Sequence, residues 1–171
     1  LQKELPRPAA GFSIEPATKG PLAGIASHFT EKFGAEYSGF KLLDASEEAL
    51  RWRLALIDSA VSSIDIQTYL WYPDVTGHIL LERVVVAAQR GVHVRLILDD
   101  LLTVGLDRVL FELDKQPNVQ VRLFNPWTDR NLLSRAGNMV VDFERLNVRM
   151  HDKMMIVDGR AVIAGGRNIG D

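Results

Sequence analysis

The sequence predicts an α/β fold: an α/β/α sandwich on a mixed, largely parallel β-sheet. Three observations carry this expectation. Strand-patterned and helix-patterned segments alternate between residues 39 and 124. Residues 92–98 read as an apolar strand of the kind buried in parallel sheets. Asp158-Gly159 is a two-residue hairpin signal between two strand-like runs, which adds an antiparallel element. Such alternation implies right-handed crossovers, with ligands gathered at strand ends.

Taken in order, residues 1–21 hold Pro6, Pro8, Pro16 and Pro21 and little periodicity, so they read as an extended arm. Residues 21–33 form a short helix closed by Gly34, with Leu22, Ile25, Phe29 and Phe33 on one face. A surface-packed helix is favoured over a membrane-surface one, because Lys32 is its one strong base. Residues 39–43 read as a short strand. Ser46 offers an N-cap to a helix reaching about residue 60, with Glu47 and Glu48 in its first turn. Residues 63–71 alternate Ile64, Ile66, Thr68 and Leu70 against Asp65, Gln67 and Tyr69, which is a strand. A turn at 74–77 leads into a helix over 77–90, stopped by Gly91. The strand at 92–98 closes on Asp99-Asp100. A helix over 104–115 ends before Pro117, a strand over 118–124 ends at Asn125-Pro126, and a helical or irregular stretch precedes a final strand over 148–157.

A chain of 171 residues suits one domain with a sizeable core. No apolar run is long enough to span a bilayer. The net charge of −2 supplies no overall basic field for nucleic acid, so a nucleic-acid partner is disfavoured. Cysteine is absent, which excludes a thiolate metal site, a catalytic thiol and a disulfide framework. The chain opens on Leu1 and stops soon after its last motif, so it reads as a segment of a longer protein, with any leader removed or left out.

The chemistry is concentrated near the end. In a strand over 148–157, His151 and Lys153 share a face, about 7 Å apart along the chain. The strand returns over 160–164 and is broken by Gly165-Gly166, which let backbone come close to whatever that face binds. Asn168 follows within reach. An imidazole, an ammonium and a carboxamide beside a glycine-lined opening fit an anion that must be attacked, and a phosphodiester fits well.

The pattern H-x-K-x4-D at His151, Lys153 and Asp158, followed by G-G-x-N at Gly165, Gly166 and Asn168, resembles the phospholipase D superfamily, the "HKD" enzymes. The likeness extends over about residues 40–171 through Arg53-Leu54-Ala55-Leu56-Ile57, the run Ile64 to Trp71, Asp74 with Gly77, Arg90-Gly91-Val92-His93-Val94-Arg95 and Asp99-Asp100. These resemble the first half of bacterial cardiolipin synthases. Residues 147–153 and 165–171 are most similar to the cardiolipin synthase C branch. The arm with its short helix then spans 1–39, and the resemblance implies a phospholipase D-like half-domain with one motif over 40–171.

It further implies phosphatidyl transfer through a phosphohistidine. His151 would attack phosphorus, a histidine of a second motif would serve as acid and base, and Lys153 would neutralise phosphate oxygens. Asn168 would donate to the same oxygens, with a turn-forming role as the competing reading, and Gly165 and Gly166 are backbone devices. Asp158 carries the motif's third letter, but its place in the turn gives a structural role equal standing. The implied partners are a phospholipid such as phosphatidylglycerol, a membrane surface, and a second motif-bearing half or a homodimer, with peripheral location at the bacterial inner membrane. No metal and no other cofactor is expected. Asp99-Asp100 reads as a strand-end pair that caps a loop or meets an arginine. His28, His78 and His93 read as structural. Trp71-Tyr72, Phe124 and Trp127 are candidates for an acyl-chain or headgroup groove, against ordinary packing. Residues 130–149, with Arg130, Arg135, Arg145 and Arg149, are weighed between anionic lipid contact and a solvated helix. Two alternatives stand: a homodimeric single-motif nuclease, and a segment that is catalytically silent alone.

Overall fold

The computed structural model describes residues 11–101, 103, 106–127 and 147–171. The described elements are α1 (Pro21–Phe33), α2 (Ser46–Ser59), β1 (Ser63–Thr68), α3 (Val75–Gln89), β2 (His93–Asp99), α4 (Asp107–Asp114), β3 (Val119–Phe124), β4 (Met154–Val157) and β5 (Ala161–Ala164). The fold is α/β. The strands form one mixed sheet in the order β3-β2-β1-β4-β5. β1, β2 and β3 pair in parallel, while β4 is antiparallel to both β1 and β5. β4 alone runs against the other strands.

The core follows from strand alternation. Ile64 and Ile66 of β1, Val94 and Leu96 of β2, Val119 of β3 and Met155 and Val157 of β4 point to one face. That face meets Leu56 and Ile57 of α2, Leu80, Val84 and Ala87 of α3, and Leu113 of α4. On the opposite face, the Arg95 guanidinium pairs with the Asp65 carboxylate on the neighbouring strand and donates to the Phe12 carbonyl at 2.7 Å.

Several expectations need correction. Residues 39–43 form no strand: Phe40 and Leu42 are exposed, and no described strand runs beside them. Ser46 is the first residue of α2 rather than its cap; Ala45 holds the cap position without a side-chain bond. α3 starts at Val75 because Asp74 caps it, accepting from the Gly77 amide at 2.8 Å. Gly77 is required there, since a Cβ would lie 1.8 Å from the Tyr72 carbonyl oxygen. The hairpin connection has three residues, 158–160, not two, with positive φ at Asp158 and Gly159. The last strand is far shorter than the expected 148–157: residues 148–153 adopt no regular structure.

α1 ends at Gly34 as expected, with φ 99°. It enters the core through Leu22, while Ile25 and Phe33 stay largely exposed. The arm before it is tied to the hairpin turn. The Ala17 amide donates to the Asp158 carbonyl, and the Arg160 side chain donates to the Ala17 carbonyl, both at 2.9 Å.

Candidate active site

Because β4 is reversed, its first residue lies at the C-terminal edge of the parallel strands: Met154 pairs with Gln67 near the end of β1. Residues 150–153 therefore arrive at the edge where α/β sheets bind ligands. Their conformation is set from next door. Asp99, the last residue of β2, is fully buried; one oxygen accepts from Arg149 at 3.0 Å and from the Leu101 amide at 2.9 Å, and the other from the Met150 amide at 3.0 Å. Asn125 adds a bond from its amide nitrogen to the Val148 carbonyl at 2.8 Å. So Asp99 both caps a loop and meets an arginine. Its neighbour Asp100 accepts from the Trp127 amide and indole, at 2.8 and 3.0 Å. Trp127 is thereby a buried packing residue, with Arg149 stacked 5.7 Å from its ring.

His151 and Lys153 come together, but not by strand alternation, since neither lies in a strand. Tyr69 is the meeting point. Its ring lies 5.2 Å from the His151 ring, tilted by 54°, and 5.2 Å from the Lys153 ammonium. That ammonium also donates to the His151 carbonyl at 2.7 Å. His151 is exposed, whereas Lys153 is only 7% exposed. Among the described residues no carboxylate pairs with Lys153. A buried, unpaired ammonium costs stability unless an anion arrives.

Asn168 is placed by its neighbours. Ile169 lies beside Trp71, with its amide bonded to the Leu70 carbonyl at 3.1 Å and its carbonyl accepting from Tyr72 at 2.9 Å. The Asn168 Oδ1 is buried with no hydrogen-bond donor. The Gly165 amide donates to the Lys153 carbonyl at 3.2 Å. A Cβ on Gly165 or Gly166 would meet nothing within 4 Å, and neither has positive φ. Nothing within the described chain demands these two glycines, so the space beside them is open to a ligand.

Asp158 is not at this edge. It sits at the other end of β4, about 17 Å along the strand from Lys153. It is fully buried, and its carboxylate accepts from the amides of Val61, Ser62 and Ser63 at 2.7–3.2 Å.

Two cavities meet at Trp71, and the first reaches Lys153. One, of about 20 Å³, is lined by Lys153, Arg53, Arg167, Thr68, Trp71 and Ile169 among others. The second, of about 70 Å³, is apolar and runs between α3, α4 and β2, with Trp71, Tyr72, Leu96, Leu98 and Leu110 in its wall. Trp71 belongs to both; its indole donates to the Gly77 carbonyl at 3.1 Å. Phe124 is 37% exposed and lines neither. His78 contacts the Asp74 carbonyl at 2.6 Å, while His28 and His93 are on the surface. Residues 130–146, with Arg130, Arg135 and Arg145, lie outside the described residues. Tyr69, Asp99 and Arg53, which stand beside the candidate site, are not singled out for it by pattern reading. Tyr69 was visible as an inward-or-outward strand position, but no spacing rule links it to a histidine 82 residues later.

Comparison with known proteins gives a consistent outcome. The family described as "Cardiolipin synthase, PLD-like domain" matches residues 54–171. Cardiolipin synthase C of Escherichia coli (strain K12) is 46% identical over 129 residues, covering 75% of this chain and 27% of that protein. Cardiolipin synthase 1 of Bacillus anthracis is 31% identical over 168 residues, covering 94% of this chain and 31% of that protein. The chain thus spans about a third or less of these relatives. Among solved structures, NucT from Helicobacter pylori aligns with a TM-score of 0.48 and 24% identity, over 72% of this chain and 69% of that one.

Proposed function

The chain belongs to the cardiolipin synthase, PLD-like domain family, and from that premise we propose that it carries one of two motifs of a phosphatidyl-transferring site. The observation that supports this best is the convergence of His151 and Lys153 on Tyr69, at an open edge with an unpaired ammonium. In this reading an imidazole nitrogen of His151 attacks the phosphorus of a phosphatidyl donor. The phosphorus–oxygen bond to the leaving alcohol breaks, and a histidine of the second motif gives its proton to that alkoxide. The resulting phosphohistidine is opened by the hydroxyl of an acceptor such as phosphatidylglycerol. The second histidine takes the hydroxyl proton, the phosphorus–nitrogen bond breaks, and His151 is regenerated. Lys153 neutralises non-bridging oxygens as charge builds in each transition state, and Asn168 supplies a further donor. Asp158 acts at a distance, by holding the end of β4.

The apolar cavity sharing Trp71 with the cationic one supports a lipid over a nucleic acid: an ester phosphate would sit at the mouth of the cationic cavity and the start of an acyl chain in the apolar one. No described helix is long and apolar enough to cross a membrane. A lipid substrate would bring this edge to the surface of the bacterial inner membrane, a peripheral contact. The second motif comes from another half of a longer protein or from a second copy.

The test is transfer of radiolabelled phosphatidyl groups in phosphatidylglycerol vesicles by a protein that contains this chain and a second motif. His151→Ala is expected to lower turnover at least about a thousandfold and to abolish acid-quenched label on the protein. Full turnover by the variant would sink the assignment. Cutting of DNA with no lipid turnover would point instead to a nuclease on the same scaffold.

A further inference from the structure

Arg53 is out of place for an ordinary structural residue. On α2 it follows Ala49 by four positions and precedes Leu56 and Ile57 by three and four, so it lies on the stripe that faces the core. Arginines on such stripes are normally paired with a carboxylate. Among the described residues Arg53 has no such partner; its recorded contact is a long one, 3.5 Å, to the Arg167 carbonyl. The Arg167 guanidinium stands nearby, anchored to the backbone carbonyls of Leu43 and Asp44. Desolvation, and then the charge of Arg167, pull Arg53 below the usual arginine range. Both guanidinium groups line the cavity that Lys153 enters. Three cations with no counter-charge among the described residues therefore line one opening, where each raises the cost of the others.

We propose that Arg53 is a phosphate-binding residue of the His151–Lys153 site, gripping a phosphate mono- or diester from the α2 side while Lys153 grips it from the β4 side. This assignment rests on the phosphotransfer reading above and adds a substrate contact to it. The planar fork of a guanidinium suits two phosphate oxygens at once, which an ammonium cannot match. The cavity itself holds about one water, so the anion sits at its mouth, with the fork and the ammonium reaching outward. Arg167 positions Arg53 and adds to the local field.

The experiment is titration of the chain with inorganic phosphate, read by calorimetry and by the rise in Tm. Wild-type, Arg53→Gln, Arg53→Lys and Lys153→Met are compared. Arg53→Gln is expected to weaken phosphate about tenfold and to lose most of the phosphate-induced rise in Tm, while its own Tm without phosphate is equal or higher because repulsion is relieved. Arg53→Lys recovers part of the affinity. If Arg53→Gln leaves phosphate affinity unchanged while Lys153→Met abolishes it, the assignment of Arg53 is overturned and the phosphotransfer reading stands. If Arg53→Gln lowers Tm without phosphate and leaves the phosphate response intact, Arg53 is structural and the assignment is again overturned. If affinity depends on Arg53 and not on Lys153, the phosphotransfer reading fails and the shared site with it.

Discussion

Asp158 spends every polar group it has. Its amide donates to Ser63, its carbonyl accepts from Ala17, and its side chain gathers the amides that follow α2. It does this at φ 55°, a backbone region that Asp and Asn enter more easily than most residues. Asp158→Ala strands several buried donors and strains the turn, and is expected to cost about 3–5 kcal/mol in urea unfolding. Asp158→Asn keeps an acceptor and the turn preference, so its cost is smaller. Loss of activity without loss of stability in Asp158→Ala would contradict the structural role. At this scale the sequence marks candidates by residue type and spacing and leaves their geometry open. His151 and Lys153 stand out by type and spacing, but Tyr69, which joins them, follows the end of β1, far away in sequence, and only folding brings it there. The absence of a partner for Arg53 is likewise invisible in a sequence, where opposite charges are plentiful.

At the scale of elements, Asp74 joins the start of α3 to the residues after the glycine pair. Its carboxylate accepts from the amides of Gly77 and Asp171, both at 2.8 Å, and these bonds, Gly77 first, hold it below the usual carboxylate range. A lowered folded value means a contribution that is complete above the unfolded value of about 3.9 and lost as pH falls through the folded one. Asp74→Asn is therefore expected to be less stable than wild-type at neutral pH and to show a flatter loss of stability below about pH 4. Parallel acid limbs for the two proteins would contradict this. Element types were legible where apolar periodicity reflects a shared core, as in β1, β2 and α3. They were not legible where it does not: the β-like residues 39–43 find no partner strand, and in residues 148–153 the Met150 amide and the Val148 carbonyl bond to the side chains of Asp99 and Asn125 instead of a ladder.

For the molecule as a whole, one motif supplies one histidine, and the proposed chemistry needs two. Lipid-transferring activity is expected to sediment with a species that holds two motifs, either paired copies or a longer chain. Activity in a strict monomer of 19.1 kDa would count against the scheme. The arrangement of the sheet has one more outcome. The reversed β4 sets its Lys153 end and its anchored end about 17 Å apart, beyond the range at which substitutions usually interfere energetically. Damage at Asp158 and damage at Lys153 should therefore sum in folding free energy. The protein can drift in robustness at one margin of the sheet without disturbing the other, which carries the proposed site.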